Sequence, residues 1–253
     1  MKKKASRKKS PESFRERSYR RIQQSGLIST YVKVVETDLH ILAPVKVENE
    51  SLALVLKIRT ILEEYIKANP LFLTSLEPLR IDLEASPVIV AMLEAAEKTG
   101  VGPMAAVAGT VAQYVGTGLL AHGVEEVIVE NGGDLFISRK QTSTVAIHAG
   151  NSPLSGKVGL VITSQSMPCG VCCSSGSVGH SLSLGDSDAV VALATSTTLA
   201  DAAATAIGNK VRSGEAGINE GLQFGQKIQG VNGIVIISGK HLGAWGDIEL
   251  ESL

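Results

Sequence analysis

Ala200-Asp201-Ala202-Ala203-Ala204-Thr205-Ala206-Ile207-Gly208-Asn209 is the stretch on which the fold turns. Asp201 and Thr205 stand four residues apart, so at helical period a carboxylate and a hydroxyl share one face above bare alanines. A helix with so little side-chain bulk lets a strand, another helix or a ligand come unusually close. Two other segments have the same character. One is Gly102-Pro103-Met104-Ala105-Ala106-Val107-Ala108-Gly109-Thr110, and the other is Val129-Glu130-Asn131-Gly132-Gly133-Asp134-Leu135-Phe136. At these three places the chain gives up packing volume around one or two polar groups, which points to function there.

Each segment also has a purely structural reading. Thr198 precedes Asp201 by three, the spacing of a capping box. Asn131-Gly132-Gly133 suits a tight hairpin turn of the I′ type. Ala105, Ala108 or Gly109, Ala112 and Gly116 fall three to four apart, making a smooth helical face fit for tight packing on a sheet. Against these stands the chemistry of Asp201 and Thr205: carboxylate, hydroxyl and a nearby backbone carbonyl form half of a hard-cation site, completed by phosphate oxygens and water. The loop Ser174-Ser175-Gly176-Ser177-Val178-Gly179-His180 offers hydroxyls, free N–H groups for an anion, and in His180 a base for neutral pH.

The pattern around these segments is α+β. Leu27–Glu36 and Leu39–Val47 read as strands joined at Thr37-Asp38. Residues 52–66 follow a helical period that Asn69-Pro70 stops. Pro87–Lys98 is a short amphipathic helix, and Gly102-Pro103 opens another helix. Val124–Glu130, Asp134–Ser138, Thr142–Ala149, Lys157–Thr163 and Ala189–Ala194 read as strands, Gly170–His180 as a loop, and Leu199–Val211 as a helix. Gly233–Ser238 and His241–Trp245 make a closing hairpin. Helices and antiparallel strands segregate, which predicts antiparallel or mixed sheets with flanking helices in one domain over residues 22–253.

The 253 residues are 44% hydrophobic with a formal net charge of -1. That balance hides an asymmetry. Ten Lys and Arg against two Glu leave residues 1–21 at +8, and the remaining fourteen basic and twenty-three acidic residues leave the body at -9. The arm has no apolar run and no aromatic interleaving, so it reads as a solvated disordered tail rather than a signal peptide or a nucleic-acid arm. The chain therefore reads as cytoplasmic. Its most apolar stretch, Met104–Leu120, is interrupted by Thr110, Gln113 and Thr117 and does not read as a membrane span. Cys169, Cys172 and Cys173 have no second pair to complete a zinc site and read as thiols.

Taken together, Met104–Gly109, Asn131–Asp134, Ser174–Gly176 and Ala200–Ala206 resemble, in the same order, the motifs of the ApbE-like superfamily. Its known enzymes are FAD:protein FMN transferases. Glu36-Thr37-Asp38, Gly179-His180-Ser181 and Gly243-Ala244-Trp245-Gly246-Asp247 further resemble an uncharacterised cytoplasmic branch. The resemblance implies an FAD or FMN ligand against Ala105, Ala106, Asn131, Gly132, Gly133, Asp134, Ser174, Ser175 and Gly176. It implies Mg2+ on Asp201, Thr205 and a carbonyl near Ala106, with His180 as the catalytic residue and an acceptor protein whose Thr or Ser is modified. The chain departs from the transferases at Ala108, where they have lysine, and in lacking an Asp-Pro-Arg-Thr-Gly segment before the Asp201 helix. Three functions remain open on the sequence: flavin handling up to FMN transfer, a non-catalytic flavin or nucleotide module, or an enzyme acting on another phosphorylated small molecule.

Overall fold

The computed structural model describes residues 26–175 and 185–253. Its strands are β1 (Ile28–Val34), β2 (Thr37–Ala43), β3 (Val127–Asn131), β4 (Asp134–Ser138), β5 (Ser143–Ala146), β6 (Val158–Ile162), β7 (Cys169–Ser174), β8 (Ala189–Ala194), β9 (Val231–Ser238), β10 (His241–Gly246) and β11 (Glu249–Ser252). Its helices are α1 (Glu48–Ala68), α2 (Leu71–Thr74), α3 (Pro87–Thr99), α4 (Val107–Ala121), α5 (Thr197–Lys210) and α6 (Glu215–Gly225), and a 3-10 turn at Pro103–Ala106 leads into α4. Eight strands form one antiparallel sheet in the order β1-β2-β3-β4-β7-β8-β9-β10, and β11-β6-β5 form a second sheet of three. The expected α+β architecture is the one observed.

Alternation along the pleat sorts the core into two. Leu39, Ile41, Val129, Phe136, Cys172, Ala192, Ile234 and Ile236 face the helices. Leu42, Ile128, Ile137, Val171, Val191 and Val235 face the small sheet, where Leu160 and Ile162 meet them. The helix layer is centred on α5, in which every residue from Thr197 to Gly208 is buried. A helix buried all round cannot be amphipathic, and its alanines let β7, α4 and α6 approach together.

The stretch Pro103–Ala121 is long and apolar enough to cross a membrane by length and composition alone, with a mean hydropathy of 1.3. Here it is a core helix. Val111, Ala112, Val115 and Leu119 are buried, and Gly116 lies so close to Phe136 of β4 that an added Cβ would sit 2.1 Å from the ring.

Two local expectations are corrected. Cys169–Ser174 was expected partly as loop, yet it is a central strand paired with β4 and β8. Buried on both faces, it shows none of the polar alternation that marks a half-exposed strand. The first hairpin turns at Val35-Glu36 rather than Thr37-Asp38, because β1 pairs with β2 through Val34↔Thr37. Helix α6 and strand β11 add elements that carried no strong period in the sequence.

Val35 occupies the left-handed region, with φ 53, as a β-branched residue that is 69% exposed. Such a residue is strained there by about 1–3 kcal/mol, whereas asparagine tolerates the conformation. Val35→Asn is expected to raise stability by about 1 kcal/mol, read as a higher midpoint in urea unfolding. An unchanged or lower midpoint would show that the turn carries no strain.

Candidate functional site

The site begins where α5 starts. Ser196 caps the helix, its Oγ accepting from the Leu199 N–H at 3.3 Å. Gln113 of α4 reaches across, its Oε1 accepting from the Thr198 N–H and from Ser196 Oγ, both at 3.2 Å. The capping box expected from Thr198 and Asp201 does not form. The helix begins two residues earlier than that spacing needs, and the Thr198 hydroxyl instead lies 3.1 Å from Thr110 Oγ1. Asp201 is thereby released from local capping, and its Oδ2 accepts the Gly109 N–H at 2.8 Å. That N–H belongs to the first turn of α4, where helix amides lack internal partners and the dipole favours an anion.

The contact depends on Gly109 having no side chain. A Cβ there would stand 2.5 Å from the Thr197 carbonyl oxygen and 2.7 Å from Asp201 Cβ. On the other side of α5, a Cβ at Gly170 would stand 2.3 Å from Thr197 Cα. Helix α5 and strand β7 run in step, since four helical residues rise about 6 Å and two strand residues about 6.7 Å. Thr197 lies over Gly170, and Asp201 is within electrostatic reach of Cys172.

The β3–β4 hairpin completes the site. Asn131 pairs with Asp134 across the turn, and Gly132 and Gly133 take φ 70 and 108, as a tight two-residue loop requires. The hairpin reading of Asn131-Gly132-Gly133 is therefore correct, and it does not exclude a binding role. Nothing lies within 4 Å of where a Cβ would stand on either glycine, so the tip is open. Cross-strand partners share a sheet face, and Asn131 points into the helix layer, donating from Nδ2 to the Ala108 carbonyl at 3.0 Å. Asp134 shares that side. The Gly133 N–H is held by Glu130 Oε1 at 2.9 Å.

Burial governs the electrostatics. Asp134 and Asp201 are only 6% and 9% exposed. Burial, opposed by donors from Cys172 and the Cys173 backbone and reinforced by Glu130, pushes the Asp134 carboxyl up to about 7. Asp201 is raised well above the usual carboxylate range by burial and then by Asp134, against the pull of the Gly109 and Ala108 N–H groups. The Cys172 thiol is raised as well, by burial first and then by Asp134 and Asp201. It donates to the Thr197 carbonyl at 3.4 Å.

The structure thus brings Asn131, Asp134 and Asp201 together around the start of α4, with Thr205 one turn along α5. Ala105 and Ala106 lie on the 3-10 turn leading into α4, and the Ala106 carbonyl accepts the Thr110 hydroxyl at 2.6 Å. Ser174 ends β7 and Ser175 follows it, whereas Gly176 and His180 lie outside the described residues. Sequence reasoning passed over Gln113, Thr110 and Cys172. The first two were visible as polar breaks in the apolar run Met104–Leu120. Among the described residues, no group of three His, Cys, Asp or Glu side chains is arranged to hold a metal. A cation here would draw on hydroxyl, carbonyl or ligand oxygens beside the carboxylates.

A family model described as AbpE bacteria matches residues 20–222. A UPF0280 protein of Methanococcus maripaludis is 42% identical over 190 residues, covering 74% of this chain and 77% of its own length. A UPF0280 protein of Methanocaldococcus jannaschii is 40% identical over 199 residues, covering 77% and 80%. Among solved structures, the flavin transferase ApbE from Vibrio cholerae superposes with a TM-score of 0.55 at 12% identity, over 87% of this chain and 96% of that one. The ApbE protein of Thermotoga maritima gives 0.51 at 13% identity, over 86% and 96%. At such identities the likeness establishes a shared fold.

Asp134 also sets a pH dependence. Its folded carboxyl titrates at about 7 instead of 3.8, so the folded protein holds this proton more tightly than the unfolded chain does. Stability from this group is therefore present at acid pH and lost as pH rises from about 4 to about 7. In EDTA, the wild type should lose thermal stability over that window more steeply than Asp134→Asn. Equal slopes for the two proteins would count against a buried, raised Asp134.

Proposed function

The chain belongs to the AbpE bacteria family, within the ApbE-like superfamily, and on that premise we propose that it handles a flavin nucleotide, with the phosphates held over the junction of α4 and α5. One observation carries the reading. The three small-residue segments meet through direct hydrogen bonds, Asp201 to Gly109 and Asn131 to Ala108, although they are far apart in sequence. A hairpin tip with open space above its glycines, next to a helix start and a buried carboxylate, suits a flat ligand that carries phosphates.

The donor set fits a hard cation such as Mg2+, since every candidate is oxygen: Asp201, Thr205 and a carbonyl near Ala106. When bound, such a cation neutralises phosphate charge and stabilises a departing phosphate. The chain's own groups do the rest. Gln113 and Ser196 fix the start of α5, so that Asp201 keeps its place. Asn131 anchors the hairpin tip to the Ala108 carbonyl. In a transfer to an acceptor protein, a Thr or Ser oxygen would bond to the phosphorus of the FMN half and AMP would leave. The hydroxyl proton would go to a base, for which His180 is the candidate from sequence.

A second reading has its own support. Ala108 stands where the transferases have lysine, and the chain lacks their Asp-Pro-Arg-Thr-Gly segment. Both departures favour binding without transfer.

Purified protein should bind FAD in an Mg2+-dependent manner, seen as a change in flavin fluorescence, and Asp201→Ala should abolish that dependence. Release of AMP in the presence of a hydroxyl-bearing acceptor would favour transfer over simple binding. If AMP is released, His180→Ala should slow turnover about a hundredfold while leaving FAD affinity nearly unchanged. A protein that binds neither FAD nor FMN, with or without Mg2+, would sink the flavin reading.

A further inference from the structure

The second half of α4 borders a cavity that the proposed flavin cleft does not use. It measures about 410 Å³ and opens between α1, α4 and the start of α3, with walls that are almost entirely apolar, among them Leu54, Ile58 and Val88. That volume lies within the range of about 300–1,000 Å³ typical of small-molecule sites. Lys57 of α1, Ser86 at the start of α3 and Tyr114 of α4 bring polar groups to it. Thr117 also lines it, but its hydroxyl donates to the Gln113 carbonyl at 2.9 Å. Ser86 stands in the N-cap position of α3, yet its side chain makes no cap bond. A serine there ordinarily accepts an amide of the first turn. Its Oγ is instead shielded from solvent with no hydrogen-bond partner, which folded proteins normally avoid. Lys57 joins no ion pair among the described residues. Burial, and then Glu94, raises the Tyr114 hydroxyl above its usual range, so it keeps its proton at neutral pH and can donate.

All three groups can donate and Lys57 cannot accept, so they recognise a group that offers oxygens rather than protons. The first-turn amides of α3 favour negative charge at the same place. Glu94, seven residues past Pro87 and so about 10 Å along α3, acts on Tyr114 and disfavours an anion at that end. The negative head therefore belongs at Lys57 and Ser86. We propose that this cavity binds a free medium-chain monocarboxylate, with its carboxylate between Lys57 and Ser86 and its hydrocarbon chain between α1, α3 and α4. One cation suits one negative charge, and the apolar walls suit the hydrocarbon. A lysine at a rim lays its stem on the apolar wall and keeps its ammonium at the mouth. The site draws on nothing at the start of α4, so it stands or falls apart from the flavin reading.

The test uses the full chain without flavin, titrated by calorimetry with decanoate below its micellar range and, for comparison, with decanol. The wild type should bind one decanoate, and decanol about tenfold more weakly, because the alcohol brings no charge to Lys57. Lys57→Met keeps the stem and removes the charge; it should weaken decanoate about tenfold and leave decanol unchanged. Ser86→Ala should weaken decanoate severalfold, while its melting temperature without ligand stays at or above the wild-type value, because the hydroxyl has no bond to lose. Ala121 is exposed on the cavity wall, and Ala121→Phe should block both ligands with no loss of melting temperature. No decanoate binding by the wild type overturns the proposal. Equal affinity for decanoate and decanol also overturns it, leaving an apolar hollow with no site for a head. Wild-type decanoate affinity in Ala121→Phe would put the ligand elsewhere and overturn it too. A Ser86→Ala protein that melts several degrees lower would show Ser86 bonded within the fold, which overturns its part in the site.

Discussion

The closeness of α5 to its neighbours is the constraint on which the rest of this structure depends. The helix lies against β7 on one side and α4 on the other, and at Gly170 and Gly109 there is no room even for a methyl group. Interiors are packed nearly as tightly as organic crystals, so contact at this range requires alanine and glycine on facing surfaces. It also removes water from the groups between the elements. Asp201 and Asp134 are buried for that reason, and burial gives both carboxyls their raised affinity for protons.

Such an arrangement is held against its own electrostatics. Unpaired buried carboxylates destabilise a fold, and the surrounding polar contacts offset only part of that. The Gly109 N–H meets Asp201, Gln113 satisfies an amide at the start of α5, and Asn131 ties the hairpin to α4. Each bond uses a backbone group that a helix end or a turn leaves without a partner. Buried carboxylates brought together in this way cost stability, the pattern expected where function outweighs it.

The ApbE-like fold persists here at 12–14% identity to its structural neighbours, which is reasonable for an architecture set by alternation and packing. Chemistry is set more locally. Ala108, the Asp201–Thr205 spacing and the paired glycines of the hairpin are such local choices.

The sequence by itself determined the elements with a strong period or clear punctuation. Ala189–Ala194, the helix from Pro87, the closing hairpin and the Asn131-Gly132-Gly133 turn were legible because local alternation, a first-turn proline and paired glycines act within a few residues. It also singled out three small-residue segments as a candidate site, because lost bulk is visible in the residues themselves. Tertiary structure alone decided that Cys169–Ser174 is a central strand, since a segment buried on both faces shows no polar alternation. It alone decided which partner each polar group takes. Thr198 had two, the local cap and Thr110 of α4, and the choice fell to the distant one because Ser196 and Gln113 already satisfy the helix start. Hydrogen bonds between residues some ninety positions apart follow from how layers stack, and stacking is a property of the whole chain.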